Sequence, residues 1–227
     1  MSQTSSLDWK PANKPQRTEL TGRFIRLAPL DASHHGDDLW RALQGPESDP
    51  RLWDYLSVGP FTERAVFDAW LANCALSADP LFFTVIDAKS STALGVLSLM
   101  RIAPNDGCIE IGYVTFGHGM QRSPASTEAV YLLARLAFDL GYRRLEWKCN
   151  AQNQRSKRAA ERLGFVYEGM FRQHMVVKGQ NRDTCWFSII NSEWPSCRQA
   201  LEQWLAEDNF DLAGQQKTPL AALRPNV

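Results

Sequence analysis

The stretch that decides the fold is GHGMQRSPASTEAVYLLARLAFDLGYRRLEWKCNAQNQRSKRAAERLGF, Gly117 to Phe165, which follows a strand-like run, CIEIGYVTF, from Cys108 to Phe116. Ala129, Leu132, Leu133, Leu136, Ala137 and Leu140 keep i, i+3, i+4, i+7 spacing and predict a helix with one apolar face. Pro124 suits its first turn, where a missing N–H would be unpaired anyway, and Gly141 is a natural stop. Leu145, Trp147 and Cys149 then alternate with Glu146 and Lys148, the pattern of a strand with one buried face. A second helix starts near Asn153 or Gln154, with Ala159, Ala160 and Leu163 inward and Arg155, Arg158 and Arg162 outward. A strand that feeds a loop and then a helix aims backbone N–H groups and a positive dipole end at one point. Such a junction suits a phosphate or pyrophosphate.

Upstream, Leu20 to Leu30 reads as a first strand, and Asp31 caps a helix carrying Leu39, Trp40 and Leu43. The loop GPESDPRLWDYLSVGP follows, and Thr62 caps a helix with Val66, Phe67 and Trp70 at helical spacing. Leu81 to Asp87 and Ala93 to Ile102 are strands, and Pro104-Asn105-Asp106-Gly107 is a turn before the strand at Cys108. Downstream, Phe165 to Val177 and Thr184 to Ile190 are strands, and Ser192 caps a last helix, Glu193 to Glu207. The order β-α-α-β-β-β-α-β-α-β-β-α predicts an α/β fold, a mixed sheet with helices on both faces. One domain is expected over 17–207, between a loose arm at 1–16 and a tail at 208–227. Ligands bind beyond the carboxyl ends of strands, which places the site at the loops after Phe116 and Cys149.

The 227 residues carry 25 Lys+Arg and 25 Asp+Glu, a formal charge of zero that argues against a nucleic-acid partner. No apolar run approaches the roughly 20 residues that span a bilayer, and the N-terminus lacks the apolar core of a signal peptide. Cys74, Cys108, Cys149, Cys185 and Cys197 are odd in number and without paired spacing, so neither a disulfide nor a metal is expected, and the chain reads as cytoplasmic.

Several short marks, in order, are those of a known family. They are Glu110-Ile111-Gly112-Tyr113, Thr127-Glu128-Ala129, Asn153-x-x-Ser156, Leu163-Gly164-Phe165, Glu168-Gly169, Lys178-Gly179 and Asp183. Over roughly residues 17–192 the chain resembles the GNAT N-acetyltransferases, in the branch of the ribosomal-protein N-terminal acetyltransferases. The resemblance implies a mostly antiparallel sheet and acetyl-CoA as co-substrate, with no metal. The pantetheine arm would lie between two splayed strands ending near Thr115 and Asn150, beside Tyr113 and Val114. The pyrophosphate would sit on the loop Gln121, Arg122, Ser123, Ala125, Ser126 and Thr127. Here Arg122 and Pro124 stand where the family often has glycines; Arg122 and the hydroxyls either make up the loss or leave phosphate binding weaker.

Acetyl transfer needs a neutral amine, a polarised thioester carbonyl and a proton for the departing thiolate. Glu110, opposite in facing to Ile109 and Ile111, is either a base or a strand carboxylate paired with an arginine such as Arg101. Asn153 and Ser156 share a helix face; the resemblance puts Asn153 on the pantetheine and Ser156 near the sulfur as proton donor, and plain capping is the other reading. A family tyrosine is replaced by Ala160, which raises the claim of Ser156. Arg158 either meets the 3′-phosphate or is solvated, and His174 is either an alternative base or a packed residue. Trp53, Tyr55 and Phe61 either line the acceptor pocket or form a packed lid.

The chain is therefore expected to be an N-acetyltransferase acting on a small amine or a protein N-terminus by direct attack in a ternary complex. The alternative is a catalytically weak acyl-CoA-binding sensor or pseudoenzyme on the same fold. No nucleic-acid or membrane partner is expected, and a homodimer stays open.

Overall fold

A computed structural model describes residues 7–224. Its strands are β1 (Leu20–Thr21), β2 (Ile25–Pro29), β3 (Leu81–Asp87), β4 (Ala93–Ala103), β5 (Cys108–Phe116), β6 (Arg144–Asn150), β7 (Val166–Val177) and β8 (Gln180–Ile190). They form one sheet in the order β1-β2-β3-β4-β5-β6-β8-β7. Every pairing is antiparallel except β5 with β6. The helices are α1 (Ala32–Gln44), α2 (Arg64–Leu76), α3 (Pro124–Asp139), α4 (Gln154–Leu163), α5 (Trp194–Leu205) and α6 (Leu220–Leu223).

Alternation along the strands divides the residues between two faces. Ile109, Ile111, Leu145, Trp147, Cys149, Cys185, Phe187 and Ile189 point into the larger core with Ala129, Leu132 and Leu133 of α3 and Leu201 of α5. A second core, with Leu39, Leu43, Trp53, Phe67 and Leu71, packs α1 and α2 against Phe82 and Val96 on the other face. Those two helices contact β3, β4 and β5. Beyond them, on the same face, β6 and β8 present Glu146, Lys148, Trp186 and Ser188 as cross-strand neighbours.

The stretch Leu20 to Leu30 is not one strand but a tight hairpin, with Leu20 opposite Leu27. The cause lies in α3, where the buried Glu128 carboxylate accepts the N–H groups of Arg23, Phe24 and Ile25 at 2.7, 2.7 and 2.9 Å. A Cβ on Gly22 would run into that carboxylate. Two helix starts also differ from expectation. Glu63, not Thr62, is the cap residue of α2, and Glu193, not Ser192, that of α5, because Pro195 fits the first turn of α5. The Glu193 carboxylate accepts Ile190 N–H at 3.0 Å instead.

Of the expected arm, residues 1–6 lie outside the described part. Further on, Ala12 is buried and Trp9 Nε1 donates to Gly141 O at 3.2 Å. In the expected tail, 225–227 lie outside the described part, while Leu220 of α6 is buried. Among the described residues no helix is long and apolar enough to cross a membrane.

Candidate active site

β5 and β6 pair only through Cys108–Arg144, Ile109–Leu145 and Glu110–Glu146. Beyond Glu110, β5 keeps its pairing with β4 alone, and beyond Glu146, β6 keeps its pairing with β8 alone. The two strands splay into a V with an unpaired backbone edge on each arm. An extended ligand with amide groups fits between such edges as a pseudo-strand.

The β5 arm is shaped by a bulge where the β4 register shifts between Val96 and Ser98. Tyr113 there takes a left-handed φ of +50°, its ring packs on Phe82, and the buried Thr115 hydroxyl donates to Tyr113 O at 3.0 Å. A bulged residue loses its ladder partner, which frees backbone groups of Tyr113 and Val114 on this arm.

At the mouth of the V stands the α3 N-terminus. Its cap residue Ser123 makes no side-chain bond to the first-turn N–H groups, donating instead to Met120 O at 2.7 Å. Ser126 Oγ donates to Ser123 O at 2.8 Å and Gln121 Nε2 to Phe116 O at 3.1 Å. The loop side chains thus brace its backbone; Ser126 N–H donates to Ser123 O at 3.2 Å and Pro124 has no N–H, which leaves Ala125 N–H and the helix dipole to an anion. Exposed Arg122, at φ +58°, lies beside them. Ala125 and Thr127 are buried, and Thr127 Oγ1 accepts from Arg162 at 2.9 Å, which brings to the mouth an arginine that the α4 pattern had only marked as outward.

On the β6 arm, Asn150 Oδ1 accepts Gln152 N–H at 2.9 Å, and Asn153 Oδ1 caps α4 through Ser156 N at 3.0 Å. Ser156 Oγ accepts from Trp147 Nε1 at 2.9 Å. Arg158 is exposed. Buried Cys149, its thiol pushed up to about 11 by burial, also neighbours the Ser156 hydroxyl.

Glu110 sits at the apex of the V, 4% exposed, with Oε2 2.9 Å from Lys148 Nζ and 3.4 Å from Arg101 Nε. Neither contact is a directed hydrogen bond, since Oε2 is buried without one. Burial raises the Glu110 pKa above the usual carboxylate range, and Lys148 and Arg101 oppose the rise. Arg101 N–H and Ile102 N–H donate to the Asp79 carboxylate at 2.8 and 3.0 Å, which fixes the bulge that swings Arg101 over the site.

Trp186 walls the same face, its ring 4.8 Å from Lys148 Nζ, 5.4 Å from the Arg101 guanidinium and packed on Phe171 and His174. His174 Nδ1 lies 3.0 Å from Thr184 Oγ1, and desolvation, then Lys148, Arg182 and Arg101, lower its pKa, so it is neutral near pH 7. Phe171 and His174 also line an open pocket of about 920 Å³ with Arg172, Gln173, Asn181 and Asp183.

Of the two readings of Trp53, its burial favours the packed one. It is fully buried in the second core, stacked edge-on with Phe61 and Trp70. Phe61 is half-buried in the same cluster. Their loop nevertheless closes on the V through three ties. Tyr55 Oη donates to Gln152 O at 3.4 Å, Lys178 Nζ to Trp53 O at 2.8 Å and Arg155 Nη1 to Asp49 Oδ2 at 3.2 Å.

Comparisons with known proteins meet this geometry. The profile of the acetyltransferase (GNAT) domain matches residues 25–166. A GCN5-related N-acetyltransferase from Brucella melitensis superposes with a TM-score of 0.93 at 50% identity, over 96% of this chain and 98% of that one. A probable GNAT-family acetyltransferase from Chromobacterium violaceum gives a TM-score of 0.79 at 40% identity, over 86% and 98%. N-acetyltransferase p20 of Bacillus licheniformis, a protein named as uncharacterized, is 26% identical over 151 residues, covering 65% of this chain and 84% of that protein.

Proposed function

The chain belongs to the GNAT acetyltransferase family and is an acetyl-CoA-dependent acyltransferase; from that premise, we propose that it acetylates a primary amine, on a small molecule or a protein N-terminus, by direct attack in a ternary complex. The observation that carries this reading is the V between β5 and β6, with a carboxylate at its apex and an uncapped helix N-terminus at its mouth.

The residues present fit the co-substrate. The α3 N-terminus and Arg122 would hold the pyrophosphate, and the open edges of Tyr113–Thr115 and of Asn150 would hold the pantetheine. Acetyl-CoA supplies the activated acyl group as a thioester. The chain aligns the amine against it, and positioning alone is worth on the order of 7–11 kcal/mol in the best cases. Glu110 takes the proton of the incoming amine, directly or through water. Ser156, its oxygen already holding the Trp147 N–H, directs its own proton toward the leaving sulfur. His174 is the second candidate base, favoured by its neutral ring and its place beside Trp186. Five free cysteines fit a reducing, cytoplasmic setting.

The test is thiol release from acetyl-CoA across small amines and peptides with free N-termini, beside calorimetry with CoA. Acetylated product from one class, with no acetyl-enzyme trapped in the absence of acceptor, is the expected result. CoA binding without transfer to any amine would overturn it and favour an acyl-CoA sensor.

A further inference from the structure

Glu110 is enclosed by charge on three strands. From β4 comes Arg101 at 3.4 Å, and from β6 come Lys148 at 2.9 Å and Glu146, itself 3.8 Å from Arg101. Glu146 is held in turn by Arg144 at 2.8 Å, and Arg144 by Glu168 of β7 at 2.5 Å. His174 of β7 and Arg182 of β8 lie further along the same face, across Trp186. Three carboxylates thus meet three cations, and the innermost contact joins Glu110 to Lys148, the least exposed of the cations, with side chains 5% and 11% exposed. Trp186 presses on both cations that reach Glu110.

Burial by itself favours the protonated carboxyl, the form that cannot act as a base. The contact that opposes this most is Lys148, whose Nζ lies between Glu110 at 2.9 Å and the Trp186 ring at 4.8 Å. Arg101 is 53% exposed and screened by solvent, so its hold is weaker. We propose that Lys148, with Arg101 as the outer cation, keeps Glu110 ionised and thereby sets the lowest pH at which the enzyme turns over. Lys148 is then a positioning residue, acting through Glu110 without touching the acceptor. This rests on Glu110 being the base.

The test joins two readouts on folded, CoA-binding variants. One is the acid limb of kcat/KM, taken with an acceptor amine whose own pKa lies below the range scanned. The other is the carboxyl ¹³C resonance of Glu110, assigned by its loss in Glu110→Gln. In Lys148→Met both should move up by about 1–3 pH units, in Arg101→Met by less, and in Lys148→Arg hardly at all. Arg101→Met removes an exposed side chain and keeps the test alive if Lys148→Met does not fold. A Glu110 resonance that titrates as in the wild type in both Met variants overturns the proposal. A resonance that moves while the rate limb stays would leave the Lys148–Glu110 coupling standing and remove Glu110 as the base.

Discussion

Trp147 Nε1 donates to Ser156 Oγ at 2.9 Å, and that single bond decides what the hydroxyl can do. With one lone pair committed to the indole, and with the Ser156 N–H spent on Asn153, the hydroxyl proton is turned away from Trp147. Ser156→Ala should lower kcat by about 10²-fold or more if the hydroxyl is the acid, with little change in the KM for acetyl-CoA, because the contact acts as the sulfur leaves. Trp147→Phe keeps an aromatic ring but loses the indole donor, so its kcat should lie between those of the wild type and Ser156→Ala. Steady-state rates at saturating acceptor check both, and wild-type turnover in Ser156→Ala would reduce the residue to a part of the α4 cap.

Arg122→Glu should weaken CoA binding by setting a carboxylate against phosphate charge at the α3 N-terminus. The braced loop backbone remains, so the loss should be partial and should shrink as salt rises. Calorimetry at low and high ionic strength reads it; equal affinity at both would clear Arg122 of a phosphate role and leave the backbone cradle.

The sheet, its central strand–loop–helix unit and the long α3 were legible in the sequence because periodicity reports which face of an element is buried. Glu110 was legible as a polar residue between Ile109 and Ile111. Its neighbours were not. Alternation shows that Lys148 shares a face with Glu146, but only the pairing of Glu110 with Glu146 and of Lys148 with Trp186 brings them together. The split of Leu20–Leu30 into a hairpin was hidden for a similar reason, since its cause is Glu128, about a hundred residues away in sequence. Trp53 stayed open between two readings, because an aromatic in a loop suits a pocket wall or a packed lid until its burial is seen.

Glu128→Ala should be among the most destabilising single changes outside the apolar core. It strands three N–H groups that the carboxylate now satisfies, those of Arg23, Phe24 and Ile25. Losing charge-assisted bonds in a buried setting costs about 3–5 kcal/mol. Glu128→Gln keeps one acceptor oxygen and should lose less. Denaturant melts of the two variants measure it, and an Ala variant within 1 kcal/mol or so of wild type would show that the hairpin turn holds without α3.

Glu110→Gln keeps the size of the side chain and its place beside Lys148 but accepts no proton, so turnover at neutral pH should fall by about 10²–10⁴ if it is the sole base. The sign with pH follows from its raised pKa. In the wild type the carboxylate form is lost as pH falls through that value, which gives the acid limb, and the Gln variant has no such group to titrate. Its deficit should therefore be largest just above the wild-type limb. It should narrow at high pH, where free amine is abundant without help. A loss that is small and uniform at every pH would give Glu110 a positioning role and pass proton removal to His174, whose pKa desolvation and Lys148 lower. His174→Gln in that background would then remove the remaining pH dependence, an outcome that distinguishes the two residues.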